Sequence, residues 1–171
     1  MTVVYIPATL AMLQQLVADG SLRPVSGTAF ALTPKLREAY AEGDDDELAD
    51  VALREAALAS LRLLAGEAPS DSRPPRRAVL AADVDFEAAG VTYRPDLDDA
   101  VVRLPGAVPI EDVVAAYVDN AGAEEAVARA IEAVDAADLG DEDAELIVGD
   151  AQDHDLAWYA NQELPFLLEL M

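Results

Sequence analysis

The chain contains no cysteine, which removes disulfides, thiolate nucleophiles and cysteine-built metal sites from consideration. It has a single histidine, His154, so any Ser-His-Asp arrangement would have to run through that residue. The serines stand in contexts such as Gly20-Ser21-Leu22, Ser26-Gly27 and a mid-helix Ser60, and none forms a G-x-S-x-G elbow. Both common phosphate cradles, G-x-x-x-x-G-K-[ST] and G-x-G-x-x-G, are missing, and the only lysine, Lys35, sits in Thr33-Pro34-Lys35. No apolar run approaches the ~18 residues that a membrane-spanning helix needs. The opening stretch MTVVYIPATLAMLQQL has no basic start and is broken by Gln14 and Gln15. It therefore does not read as a signal peptide, and the expected location is the cytoplasm. Aromatic residues make up only 5% of the sequence.

Acid, by contrast, is abundant. Thirty-four Asp and Glu face eleven Lys and Arg, for a formal charge of −23, and ten of the eleven basic residues are arginine. Such a balance argues against binding nucleic acid by phosphate neutralisation and against attraction to an anionic membrane. It is compatible with a basic protein partner, a homodimer or a cation, and by itself it speaks to solubility and association rather than to fold. Thirty-five alanines favour helices. The excess of Ala, Asp, Glu, Arg and Val over Lys suits a GC-rich genome. A length of 171 residues fits one domain, 1–171.

Along the chain, TVVYI (2–6) predicts a strand stopped by Pro7, and Thr9 caps a helix to about Ala18 that Asp19-Gly20 ends. TAFAL (28–32) predicts a strand, and Thr33-Pro34 starts a short helix to about Tyr40. The acidic turn EGDDDE (42–47) precedes a long helix, about 46–65, closed by Gly66. A Pro/Ser/Arg loop spans about 67–77. AVLAADV (78–84) predicts a central strand, 85–98 read as irregular with a short strand near Val91–Tyr93, and AVVRL (100–104) and VVAAYV (113–118) are further strands. Two helices, about 123–137 and 141–152, a strand at 156–159 and a short helix at 163–170 complete the chain. The expected class is α+β or α/β, a mixed sheet of about five or six strands packed against about five or six helices.

The segments VYIPATLAML (4–13), FALTPKLREAY (30–40), LASLRLL (58–64), RRAVLAADV (76–84), VVAAYVDN (113–120) and HDLAWYANQELPFLL (154–168) together resemble an uncharacterised family of small, acidic actinobacterial proteins. The resemblance implies an actinobacterial source. It brings no activity, cofactor or residue roles.

Candidate chemistry therefore rests on the residues alone. Asp83 and Asp85 flank Val84 at the end of a strand, where alternate side chains share a face. With Asp98 from the following loop, and its neighbours Asp96 and Asp99, they form a candidate Mg²⁺ or Ca²⁺ site. Such a site would support metal-assisted hydrolysis, although solvated acidic turns are the commoner outcome. Asp141, Asp143 and Glu145 have the odd spacing of an EF-hand loop. Leu146 stands where that loop needs Gly and Gln152 where it needs Glu, so a helix N-terminus is the better reading. Arg76 and Arg77 are a weak anion candidate against a plain loop end that balances local acid. His154, between Asp153 and Asp155, is a candidate interaction residue, although a solvated loop imidazole is the commoner fate. Trp158 and Tyr159 alternate faces on a strand, one inward and one outward, and the outward ring is a candidate partner anchor. The leading functional expectation is a non-catalytic binding or regulatory protein acting through protein contacts, without a resident cofactor. A divalent-metal hydrolase is the alternative. Mimicry of nucleic acid ranks third, because the acid is gathered at helix ends and turns near 42–50 and 135–155.

Overall fold

The computed structural model describes residues 1–40, 42–67 and 73–170. Its first strand, β1 (Thr2–Ala8), runs through Pro7 instead of stopping there, with Pro7 opposite Val79. The neighbour on β1's other side meets it only at Tyr5–Phe30, so the missing N–H of Pro7 falls where the strand is not flanked on both sides. Thr9 then accepts a hydrogen bond from the Met12 amide at 3.3 Å and starts α1 (Leu10–Asp19). This helix buries Leu10, Leu13 and Leu16 and ends on a left-handed Gly20. After β2 (Ser21–Leu22) and β3 (Thr28–Phe30), Thr33 caps α2 (Pro34–Ala39) through the Leu36 amide.

The long helix α3 (Asp45–Gly66) is capped by Asp44, and Asp45, Asp46 and Glu47 lie in its first turn, where the helix dipole favours them. Gly66 is its last residue and not a left-handed terminator; Glu67 follows in extended conformation. Of the loop expected at about 67–77, residues 68–72 lie outside the described residues. The chain continues through β4 (Ala78–Val84), α4 (Phe86–Ala89), β5 (Thr92–Tyr93), β6 (Val101–Arg103), β7 (Val108–Pro109) and β8 (Val113–Val118). It closes with α5 (Glu124–Asp138), α6 (Glu142–Gln152), β9 (Ala157–Ala160) and α7 (Leu164–Glu169).

Among the described residues, seven strands form one sheet in the order β5-β6-β3-β1-β4-β8-β9, and β2 and β7 form a separate ribbon. Every pairing is antiparallel, so the fold is α+β. The stretch 85–98, expected to be irregular, contains α4, which Asp85 caps and Gly90 ends in left-handed conformation.

Alternation along the strands gives the sheet two apolar faces. One presents Val4, Ile6, Leu80, Ala82, Ala116 and Val118 to α1 and α7. The other presents Phe30, Val79 and Val101, with half-buried Tyr5 and Tyr117, to Leu48, Ala52, Ala56 and Ala57 of α3. Farther along α3, Leu61 meets Val127, Ala130, Val134, Val148 and Ala151 of α5 and α6. Alanine-rich stripes let these three helices approach closely. As a result α3 is clamped between the sheet and the α5–α6 pair, and the side of the sheet near β9 is left less covered.

Candidate functional site

Where α3, β8 and the turn between α6 and β9 meet, they enclose a cleft of about 260 Å³. Leu53, Ala57, Tyr117 and Leu156 give it apolar walls, and Asp50, Arg54, Gln152, His154 and Asp155 give it a polar rim. Arg77 forms part of its lining. That arginine immediately precedes β4, and Asp119 immediately follows β8. Because β4 and β8 are antiparallel neighbours, the two residues meet.

They meet in a fully buried ion pair, with side chains 1% and 0% exposed. The carboxylate of Asp119 accepts from Arg77 Nη2 at 2.7 Å, from Nε at 2.9 Å and from the Arg77 amide at 2.7 Å. The remaining guanidinium contacts reach the cleft wall: Nη1 donates to Gln152 Oε1 at 2.7 Å and Nη2 to the His154 carbonyl at 2.9 Å. Gln152 in turn donates to the Arg54 carbonyl at 3.2 Å. Arg77 therefore ties the α6–β9 turn to the sheet and positions the cleft wall. It is not free to bind an anion, and neither is Arg76, which pairs with Glu124 at 2.9 Å. Both arginines balance acidic side chains, the reading that the sequence favours over an anion site.

Tyr117 is the aromatic ring in the cleft wall, and Tyr5 is its neighbour. Tyr5 and Tyr117 pack edge to face with ring centroids 6.4 Å apart. Burial raises the pKa of both phenols, and the negative charge of Asp50 raises them further; Tyr5 also feels Tyr117 and Asp46. Both hydroxyls are therefore held as neutral donors across the physiological range. Trp158 lies directly across the strand pair from Tyr117, on the same face, and is 57% exposed. Tyr159 points the other way and packs against the core beneath α1 and α7. The alternation read from the sequence holds, with Trp158 the outward ring. β9 is one of the two outer strands of the sheet, and Asn161 pins its end by donating to the carbonyls of Ile110 at 2.7 Å and Val113 at 2.6 Å. His154 is exposed at the rim, and what the fold uses of it is its backbone: the carbonyl accepts from Arg77 and the amide donates to the Ala151 carbonyl at 3.1 Å.

The carboxylates proposed for a cation stand apart. Asp83 projects from β4 beside Val3 and is half-buried. Asp85 is committed to capping α4, accepting from the amides of Glu87 and Ala88 at 3.1 Å each. Asp98 precedes β6, which β1 and β3 separate from β4; three strand spacings amount to roughly 14 Å. The charge of Asp98 is felt instead by Glu55 of α3, whose pKa burial raises first and Asp98 second, with Arg62 opposing. Asp96 is held by Arg94 at 2.8 Å. Among the described residues, no three His, Asp or Glu side chains gather to hold a metal ion. The five aspartates read together from the sequence thus serve a strand end, a helix cap, an ion pair and a loop. Asp141 likewise caps α6 through the Ala144 amide at 2.9 Å, with Glu142, Asp143 and Glu145 in the first turn.

Sequence reasoning missed the cleft because its parts come from 50–57, 77, 117 and 152–156. The one local hint is positional, Arg77 just before one strand and Asp119 just after another, and it becomes informative only once those strands are known to pair.

Among the described residues, no helix is long and apolar enough to cross a membrane. Comparison with curated proteins and with solved structures gave no match. The model of a family of unknown function, DUF6912, matches residues 2–168, so it spans the sheet, both helical layers and the cleft, and the chain belongs to that family.

Proposed function

We propose that the protein is a non-catalytic binding protein of the cytoplasm that recognises a basic segment of a protein partner at the cleft beside β9. The observation that carries this reading is Trp158. A large ring 57% exposed on an outer strand, next to a half-buried tyrosine and a cleft rimmed by Asp50 and Asp155, has the composition of a partner anchor. A Lys or Arg side chain fits such a setting twice over, because carboxylates neutralise it and an indole face attracts it. The formal charge of −23 steers a basic partner toward the surface and repels a second copy of the chain, which favours a heterologous partner over a homodimer.

The test is capture from native cell extract with the wild-type protein and with two variants, Trp158→Ala and Asp50→Lys combined with Asp155→Lys. Thermal melts confirm that each variant is folded. The expected result is a protein retained by the wild type and lost from both variants. Because Trp158 is the only tryptophan, its emission should also shift to the blue when an arginine-rich peptide is added. If everything the wild type retains is retained equally by both variants, this reading of the cleft is wrong.

A further inference from the structure

Seven arginines have a carboxylate within 4 Å among the described residues: Arg37, Arg62, Arg73, Arg76, Arg77, Arg94 and Arg129. Of the remaining cations, Arg23, Lys35 and Arg54 are exposed to solvent. Arg103 differs. It is half-buried, no carboxylate lies within 4 Å of it among the described residues, and its Nε is buried with no hydrogen-bond partner. In a chain with three times as much acid as base, a partner for this arginine would be easy to supply. The neighbours across the strands on either side are Thr28 and Thr92, which carry hydroxyls and no charge.

Arg103 also lines a cavity of about 410 Å³ together with Ser26, Gly90, Thr92, Arg94, Leu104 and Pro105. Arg94 stands two residues beyond Thr92 and donates Nε and Nη2 to Asp96, which leaves Nη1 without a partner among the described residues. Ser26 adopts a left-handed conformation with φ 56°, the only non-glycine with positive φ among the described residues. Its neighbour Gly27 holds it there: a side chain on Gly27 would meet the Leu104 carbonyl at 2.6 Å, and the Gly27 carbonyl accepts from the Leu104 amide at 2.8 Å. The Ser26 turn is thus fastened against the end of β6 at the cavity mouth, in a backbone conformation that proteins reserve largely for turns and binding sites.

We propose that this cavity binds a tetrahedral oxyanion of the phosphate-monoester class. Arg103 is the principal charge, Arg94 is a second guanidinium, and the hydroxyls of Thr92 and Ser26 are neutral donors. A planar guanidinium fork matches two oxygens of such an anion, and hydroxyl donors suit its remaining oxygens. The local charge of Arg94, Arg103 and Asp96 sums to +1, an island in an acidic surface, so the site selects a small anion that can enter the cavity and not a polyanionic chain.

The experiment is a titration of the full chain with sodium phosphate, followed by amide NMR and matched against sodium chloride at equal ionic strength. The expected result is a saturable change at Gly90, Thr92, Arg103 and Leu104 with a dissociation constant on the order of 1 mM. Arg103→Met should abolish it. Arg94→Gln, which alters a partly exposed group and keeps the fold, should weaken it roughly tenfold. Sulfate should compete, and acetate should not. Absence of a saturable change, an equal change with chloride, equal binding of acetate, or phosphate binding undiminished in Arg94→Gln would each overturn the proposal, and the last keeps it testable if Arg103→Met fails to fold.

Discussion

At the scale of single residues, what sets this protein apart is how it spends its few cations. Among the described residues Arg77 is the largest fully buried side chain, and Asp119 accepts three of its N–H groups, counting the backbone amide. Removing two charges from water costs several kcal/mol, and this geometry offsets that cost by satisfying nearly every donor and acceptor involved. Such a pair is fragile in one direction. Asp119→Asn should lower the unfolding free energy by roughly 3–5 kcal/mol, because it strands a buried guanidinium. The double variant Arg77→Met, Asp119→Leu should recover a large part of that loss. Urea unfolding of the three proteins checks both statements; a loss under about 1 kcal/mol for Asp119→Asn would mean that water reaches the pair and that it does not hold the cleft wall. Little of this was legible in the sequence. Arg76-Arg77 stood out as a dibasic pair, but their roles are set by carboxylates 42 and more residues away. Arg103, half-buried and without a carboxylate within 4 Å among the described residues, sits in an apolar strand with no local mark to distinguish it.

At the scale of elements, the sequence was far more informative. Thr9, Thr33 and Asp141 each accept a hydrogen bond from a helix-terminal amide, and side chains of that kind mark helix starts whatever the tertiary setting. Asp85 does the same for α4, but a four-residue helix carries no periodicity and the stretch reads as irregular. The run AVLAADV maps onto β4 residue for residue: a strand flanked by two others and covered on both faces takes five consecutive buried apolar residues, and its one charged residue, Asp83, is confined to the half-buried end. The two-residue strands β2 and β7 escaped notice because pairs so short carry no periodicity. How elements join was also hidden. Ser60 appears in the sequence as an unremarkable polar residue inside a helix. In the structure it is fully buried; its hydroxyl donates to the Ala8 carbonyl at 2.6 Å and accepts from the Ala78 amide at 3.0 Å. Ala8 and Ala78 are opposite each other at the end of the β1–β4 ladder, so one hydroxyl fastens α3 to the joint of the two strands. Ser60→Ala should cost about 1–3 kcal/mol, since it leaves a buried carbonyl and a buried amide without partners. Amide exchange at Ala78 should accelerate more than exchange elsewhere in β4, and uniform exchange along the strand would refute the clamp.

At the scale of the whole molecule, composition and fold pull in opposite directions. The alanine-rich layers pack against the sheet, while most of the acidic residues among those described lie on the exterior and at helix starts. Much of the local placement is favourable, because the first turns of α3, α5 and α6 are acidic and the helix dipole welcomes that charge. The long-range sum is unfavourable: a formal charge of −23 on a chain of this size repels itself, and unfolding relieves the repulsion by moving the charges apart. Screening acts on the two contributions unequally. Dipole and ion-pair contacts operate over a few ångströms, whereas the net repulsion operates across the molecule and is cut once the Debye length falls from ~10 Å at 0.1 M salt to ~3 Å at 1 M. The exposed pairs Arg37–Asp45 and Arg62–Asp138 lose little, since exposed pairs contribute at most about 1 kcal/mol to begin with. Raising sodium chloride from about 0.02 to about 0.5 M should therefore raise the melting temperature by several degrees. Chloride is the right salt for this test, because phosphate or sulfate would also occupy the Arg103 cavity and add stability by mass action. A melting temperature that falls with sodium chloride would show that the specific ion pairs outweigh the net repulsion, and that the acidic surface is a folded network instead of a field held open for a basic partner.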